Sequence, residues 1–163
     1  MNRASIASVA LACAVVAPWA GAAGFQDFAG TWIVRSSTAA PWKESDNPVG
    51  ATEDKRIVGR SVTFAASAVT GPSPIGCAKP VYKVDTVGPD MIFEGQLAEA
   101  GGGAKAPDAA ASAAKLGFAE PQRIETLDAG CTEVQFHLVK PGTLAFGLNN
   151  RVYVMTRKSF TVP

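Results

Sequence analysis

The chain has 163 residues, with 15 Lys+Arg against 14 Asp+Glu and a single His, for a net charge of +1. So even a balance argues against nucleic acid, which is recognised through a concentrated excess of Lys and Arg. It also argues against a polybasic membrane-surface role, and the length suits one ordinary domain with a core of its own.

The first stretch, "MNRASIASVALACAVVAPWAGAAG", has one positive charge (Arg3), an apolar run from Ala4 to Ala17, then small residues. The run is shorter than the about 20 residues that span a bilayer. Ala20-Gly21-Ala22 supplies the small-x-small pattern of a cleavage site. Residues 1–23 are therefore expected to be a signal peptide and 24–163 the mature domain, periplasmic or secreted and not integral to the membrane. "ALAC" loosely resembles a lipoprotein box at Cys13, but the apolar run continues past it through Ala17. Without the leader the chain has 14 basic and 14 acidic residues.

From Phe28 the pattern has period two, the mark of half-buried strands. Gly30, Trp32 and Val34 share one face, and Thr31, Ile33 and Arg35 the other. The polar 36–56 stretch reads as a long exposed loop. In it, Trp42 is either a contact residue or a lid over a barrel mouth. "GRSVTFAA" gives a second strand with Val62 and Phe64 inward. Val81 to Val87 gives a third. "MIFEGQL" gives a fourth, with Met91, Phe93, Gly95 and Leu97 on one face.

Residues 98–115 change composition. A triple glycine precedes "PDAAASAAK", where Pro107 and Asp108 suit the start of a short helix. Strands resume at "QRIETL", "CTEVQFHLV", "TLAFGLNN" and "RVYVMTRK", with turns at Pro141-Gly142 and Asn149-Asn150. The expected fold is all-β: an eight-stranded antiparallel up-and-down barrel with a short Ala-rich helical insert, closure removing the exposed edges.

Two cysteines, Cys77 and Cys131, remain after the leader. An oxidising compartment makes a disulfide between them the expectation. It would close a loop of about 55 residues, worth up to about 4 kcal/mol in the chain-entropy view.

Gly30-x-Trp32 on the first strand, eight strands, and Arg157 in "VMTRK" on the last resemble the lipocalin-like (calycin) pattern of small exported β-barrels. The resemblance implies that Trp32 closes one end of the barrel and that Arg157 packs across its ring. Such a contact is a favourable cation–π stack, worth about 0.5 to 2 kcal/mol. The chain is also similar in general shape to small exported bacterial barrels that inhibit proteases or lysozyme.

Enzymatic chemistry is disfavoured. The lone His137 alternates with Phe136 and Leu138 and is expected on the outer, solvated face, with no shaped site for a general base. Oxidised thiols are not nucleophiles. Glu94, Glu125, Asp128 and Glu133 read as scattered surface acids rather than a glycosidase pair. "AGGGAKA" lacks the spacing of a phosphate-cradling loop. No catalytic residue, metal site or cofactor is expected. Binding remains: a small apolar ligand held near Trp42, Phe64, Phe93, Phe136 and Tyr153, or a protein contacted through rim loops. The alternative is an inhibitor of an exported hydrolase such as lysozyme or a protease. Barrels of this size are either filled by side chains or hold one small ligand.

Overall fold

The computed structural model describes residues 24–42, 50–99 and 108–159. The expected signal peptide, 1–23, Cys13 included, and the triple glycine lie outside the described residues. Nine strands form one antiparallel sheet: β1 (Gly30–Ala39), β2 (Ser61–Ala65), β3 (Ala68–Thr70), β4 (Cys77–Ala78), β5 (Lys83–Val87), β6 (Ile124–Asp128), β7 (Phe136–Lys140), β8 (Thr143–Leu148) and β9 (Arg151–Arg157). Four short helices accompany them: α1 (Phe25–Phe28), α2 (Gly50–Ile57), α3 (Gln96–Glu99) and α4 (Ala109–Lys115). A 3₁₀ turn, Ile92–Gly95, leads into α3.

The strand order β4-β3-β2-β1-β9-β8-β7-β6-β5 is a meander whose first and last strands pair at its centre. Sequence neighbours pair throughout, except β4 and β5, which no ladder joins among the described residues. The two edges are nonetheless tied. Only 79–82 separate them in the chain, and Cys77 and Cys131 lie at disulfide distance, with sulfurs 2.07 Å and Cα atoms 5.8 Å apart. The Val81 N–H donates to the Ala129 carbonyl at 2.9 Å. The Tyr82 hydroxyl donates to the Ala65 carbonyl at 2.8 Å. The sheet is therefore curled but unlaced along the β4–β5 seam.

The eight-stranded barrel needs two corrections. The expected fourth strand, 91–97, is the 3₁₀ turn plus α3, because Phe93 and Glu94 have left-handed backbones (φ 52° and 60°) that no strand accommodates. Met91, expected inward, is 59% exposed. Conversely, β3 and β4 have three and two residues, too few to show an alternation. The 36–56 loop is also shorter than expected, since β1 runs to Ala39 and α2 starts at Gly50.

Alternation places the core. Trp32, Val34, Val62, Phe64, Phe136, Phe146, Tyr153 and Met155 fill the concave face. Their positions line up across the sheet: Val34 pairs with Met155, Met155 with Leu144, and Phe146 with Tyr153. A second, smaller core covers the convex face, where Ala40, Ile124, Val139, Ala145 and Val152 pack under Ile92, Phe93, Leu97, Ala113 and Phe118. The sheet is thus buried on both sides over β6 to β9.

The Ala-rich helix contributes Ala113 to this convex layer. Asp108 caps α4 by accepting the Ala110 N–H at 2.9 Å. The side chains of Ala110, Ser112 and Ala113 are buried, and their small size lets the helix lie close. Beyond the helix, the Ala119 N–H donates to the Val139 carbonyl at 2.9 Å, where β7 has an irregular register against β8.

Candidate functional site

Trp32 sits at the start of β1 with its ring wholly buried. Its indole N–H donates to the Phe28 carbonyl at 2.7 Å, fixing α1 beneath the ring. Arg157, its cross-strand partner, lies over the ring with the guanidinium carbon 4.4 Å from the centroid. The Arg157 Nη1 donates to the Ala29 carbonyl at 2.6 Å, and Nη2 to the carbonyl of Asp27. Gly30 is required here twice over: its φ is +104°, and a Cβ would stand 3.3 Å from Arg157 Nη1. Phe25 stacks on Tyr82 at 4.2 Å beside them. This end is a plug in which the stacked pair is fully engaged with the chain itself.

At the opposite end α2 lies over the mouth. Asp54 accepts from Ser37 at 2.7 Å and pairs with Arg151 at 2.8 Å. Glu53 pairs with Arg56 at 2.8 Å and accepts from Asn149 Nδ2 at 2.6 Å, tying the β8–β9 turn to the helix. Ile57 enters the concave core.

The five residues singled out as a ligand set divide between the two faces. Phe64, Phe136 and Tyr153 are in the concave core. There Phe64 meets Phe136 edge-on at 4.7 Å, Phe136 lies 5.7 Å from Phe146, and Phe146 stacks on Tyr153 at 5.0 Å. All three are at most 1% exposed. Burial first, then the carboxylates of Asp54 and Glu53, push the ionisation of Tyr153 upward. Trp42 and Phe93 are on the convex side instead, 5.1 Å apart. They lie together over Gly147, where a Cβ would meet Phe93 at 3.1 Å and Trp42 at 3.4 Å. The buried indole N–H of Trp42 has no hydrogen-bond partner among the described residues.

His137 requires a correction. It is on the face that alternation gives it, but that face is not solvated: the side chain is 0% exposed. The row Thr126–His137–Ala145 runs across β6, β7 and β8, and the 3₁₀ turn covers it. The backbone N–H of Phe93 donates to Nε2 at 3.1 Å. The neutral ring therefore carries its proton on Nδ1, which faces the Thr126 Oγ1 at 2.9 Å. The Thr126 hydroxyl reaches the Ile124 carbonyl at 3.5 Å. The Phe93 ring stands edge-on to the imidazole at 4.7 Å. Burial lowers the pKa of His137 from 6.5 to about 3, so the ring is neutral at physiological pH.

Next to this row the convex face opens into a cleft of about 370 Å³. One border is the left-handed run Phe93–Glu94–Gly95 (φ 52°, 60° and 80°), and the other is the turn Asn149–Asn150 (φ 45° and 61°). Glu94, Glu133, Gln135 and Leu148 also line it, with His137 at its inner wall. Among the described residues no Lys or Arg lines it, so the cleft offers acceptors and amide groups beside the Phe93 ring.

The remaining acids have local roles. Glu125 accepts from Thr86 at 2.8 Å, and Asp128 accepts the Gly130 N–H at 2.7 Å. Among the described residues no group of three His, Cys, Asp or Glu could hold a metal. Nor is any helix there long and apolar enough to cross a membrane. No family model, curated protein or solved structure matches the chain.

The sequence carried one signal for the convex layer. "TLAFGL" and "RVYVM" are apolar on both alternating faces, as strands covered on both sides are. The small residues Ala145 and Gly147 at outward positions leave room for the rings above them.

Proposed function

We propose that this protein is an exported, non-enzymatic, lipocalin-like binding protein whose contact site is the convex-face cleft. The observation that carries this reading is the contrast between a concave face filled by stacked aromatic rings and an open cleft on the other side. Rings in mutual contact leave the apolar interior to the core rather than to a ligand. The cleft, by comparison, combines hydrogen-bonding groups with Phe93 and Leu148, the mixed lining that orients a small molecule or a protruding side chain. Acceptors with no basic side chain in the lining among the described residues favour a partner that presents donors or positive charge. The lipocalin-like element of the reading draws on Gly30, Trp32 and the stacked Arg157. Export draws on the leader pattern and the Cys77–Cys131 pair.

A second reading, inhibition of an exported hydrolase such as lysozyme or a protease, is favoured by the two left-handed turns bordering the cleft. Turns of fixed geometry suit insertion into a partner's groove.

Native mass spectrometry of the mature protein at pH 7.5, beside Glu133→Trp, tests both. Glu133 is exposed at the cleft, so a Trp there obstructs it without entering a core. A small molecule carried by the wild type and lost in Glu133→Trp supports the carrier. Inhibition of purified lysozyme or trypsin, lost in the same variant, supports the inhibitor. A ligand retained by Glu133→Trp, or substrate turnover abolished by His137→Ala, overturns the proposal.

A further inference from the structure

The left-handed turn that borders the cleft is held by a side chain able to change its hydrogen-bonding character. Phe93 and Glu94 both adopt a backbone that L-residues avoid. The Phe93 N–H donates to the His137 Nε2 at 3.1 Å. The other ring nitrogen is engaged by Thr126 at 2.9 Å, and the ring is sealed from solvent. A proton added at Nε2 would set two N–H groups against each other at hydrogen-bonding distance. The acceptor would be lost and a positive charge buried.

We infer that His137 is an acid-released latch: protonating its Nε2 frees the Phe93–Gly95 turn and uncovers the trough on β8 in which the Phe93 ring lies. This rests on the reading of the convex cleft as the contact site and adds a control over it. The trough is already formed, because Ala145 and Gly147 leave room that larger side chains would fill. Lifting Phe93 would expose it beside Trp42, whose indole N–H has no partner among the described residues. The site uncovered by acid would take a flat apolar ring carrying a hydrogen-bond acceptor.

The surroundings of His137 leave it as the responsive group. β6 brings Thr126 and β8 brings Ala145, neither of which titrates. The 3₁₀ turn brings Phe93 and the exposed Glu94, and the segment before β7 brings the exposed Glu133. Its depressed pKa has burial as its one cause, without a charge partner. In the open state the ring would titrate near the ordinary value of about 6.5, so lowering the pH from 7.5 to 5.0 favours opening about 30-fold.

The test is amide exchange of the full mature chain at pH 7.5 and 5.0, read as protection factors, with an anilinonaphthalene sulfonate dye as the aromatic probe. His137→Gln is the matched variant, since its amide oxygen can accept the Phe93 N–H but does not titrate. In the wild type, protection of Phe93 to Leu97 should fall about 30-fold at pH 5.0, the dye should bind, and β1, β2 and β9 should stay protected. In His137→Gln the fall and the dye binding should both disappear. Equal loss across all strands, or an unchanged response in His137→Gln, overturns the latch. Should that variant not fold, the wild type still decides. His137 is the single histidine in the chain, so the logarithm of Phe93–Leu97 protection should fall by about one per pH unit between about pH 6.5 and 5.0, the dependence of a single proton taken up on opening. Protection independent of pH over that range overturns the proposal. None of these measurements needs a natural ligand. Failure of the latch therefore leaves the binding reading intact, and failure to find a ligand leaves the latch intact.

Discussion

The two faces of the curled sheet are built differently. The concave face is covered by the sheet's own curvature, so its residues come from seven strands and meet ring to ring across it. The convex face is covered by residues from 92–97 and 113–118, with Trp42 beside them, lying over β6 to β9. The concave core is thus held by long-range pairing and the cysteine bridge. The convex layer depends on small side chains beneath it, one buried histidine and a left-handed turn. The first arrangement closes an interior; the second leaves a cleft where its cover ends.

Phe136→Ala should break the concave side most severely. It removes a ring packed between Phe64 and Phe146 and should cost about 3 to 5 kcal/mol by urea unfolding. Cys77→Ser with Cys131→Ser should lower stability by about 2 to 4 kcal/mol, since the bridge spans a sequence separation of 54. The loss should leave the convex layer's exchange unchanged relative to the global limit. If only the layer loosened, the seam would not be holding the concave side.

Acid sharpens the comparison. His137 has a folded pKa of about 3 against about 6.5 unfolded. Its contribution is therefore fully present above pH 6.5 and is lost as pH falls towards 3. By pH 5 the loss should be about 2 kcal/mol. Comparing unfolding free energies of wild type and His137→Gln across pH 7.5 to 5 checks this, and parallel curves would contradict it.

Two smaller effects separate the faces again. Arg157→Ala should cost about 1 kcal/mol, because an exposed cation over indole is a modest interaction. It should quench or shift Trp32 fluorescence without altering the cleft. Gly147→Ala puts a Cβ 3.1 Å from Phe93. It should lower protection of Phe93 to Leu97 by roughly 1 kcal/mol while leaving the urea midpoint nearly unchanged.

Legibility followed the same division. The concave core could be read from alternation in β1, β2, β8 and β9, because a period of two assigns Trp32, Phe64, Phe146 and Tyr153 to one face without further information. The capping Asp108, the hairpin turn at Asn149–Asn150 and the pairing of Cys77 with Cys131 were legible for local or compositional reasons. The segment 91–97 was not. Its apolar residues alternate as a strand's would, and only contact with His137 and β8 makes a left-handed turn the better solution. The cleft was hidden for the same reason, since its two borders are 55 residues apart in the chain.

By itself the sequence determined the β-rich class, most of the strands and the side chains that turn inward, because strand periodicity and turn chemistry act over a few residues. Tertiary structure alone decided that the outward face would also be buried, that His137 would be neutral and sealed, and that the opening would lie outside the curl. Those outcomes depend on where a distant excursion comes to rest, and burial, not residue type, sets what a histidine or a tryptophan can do.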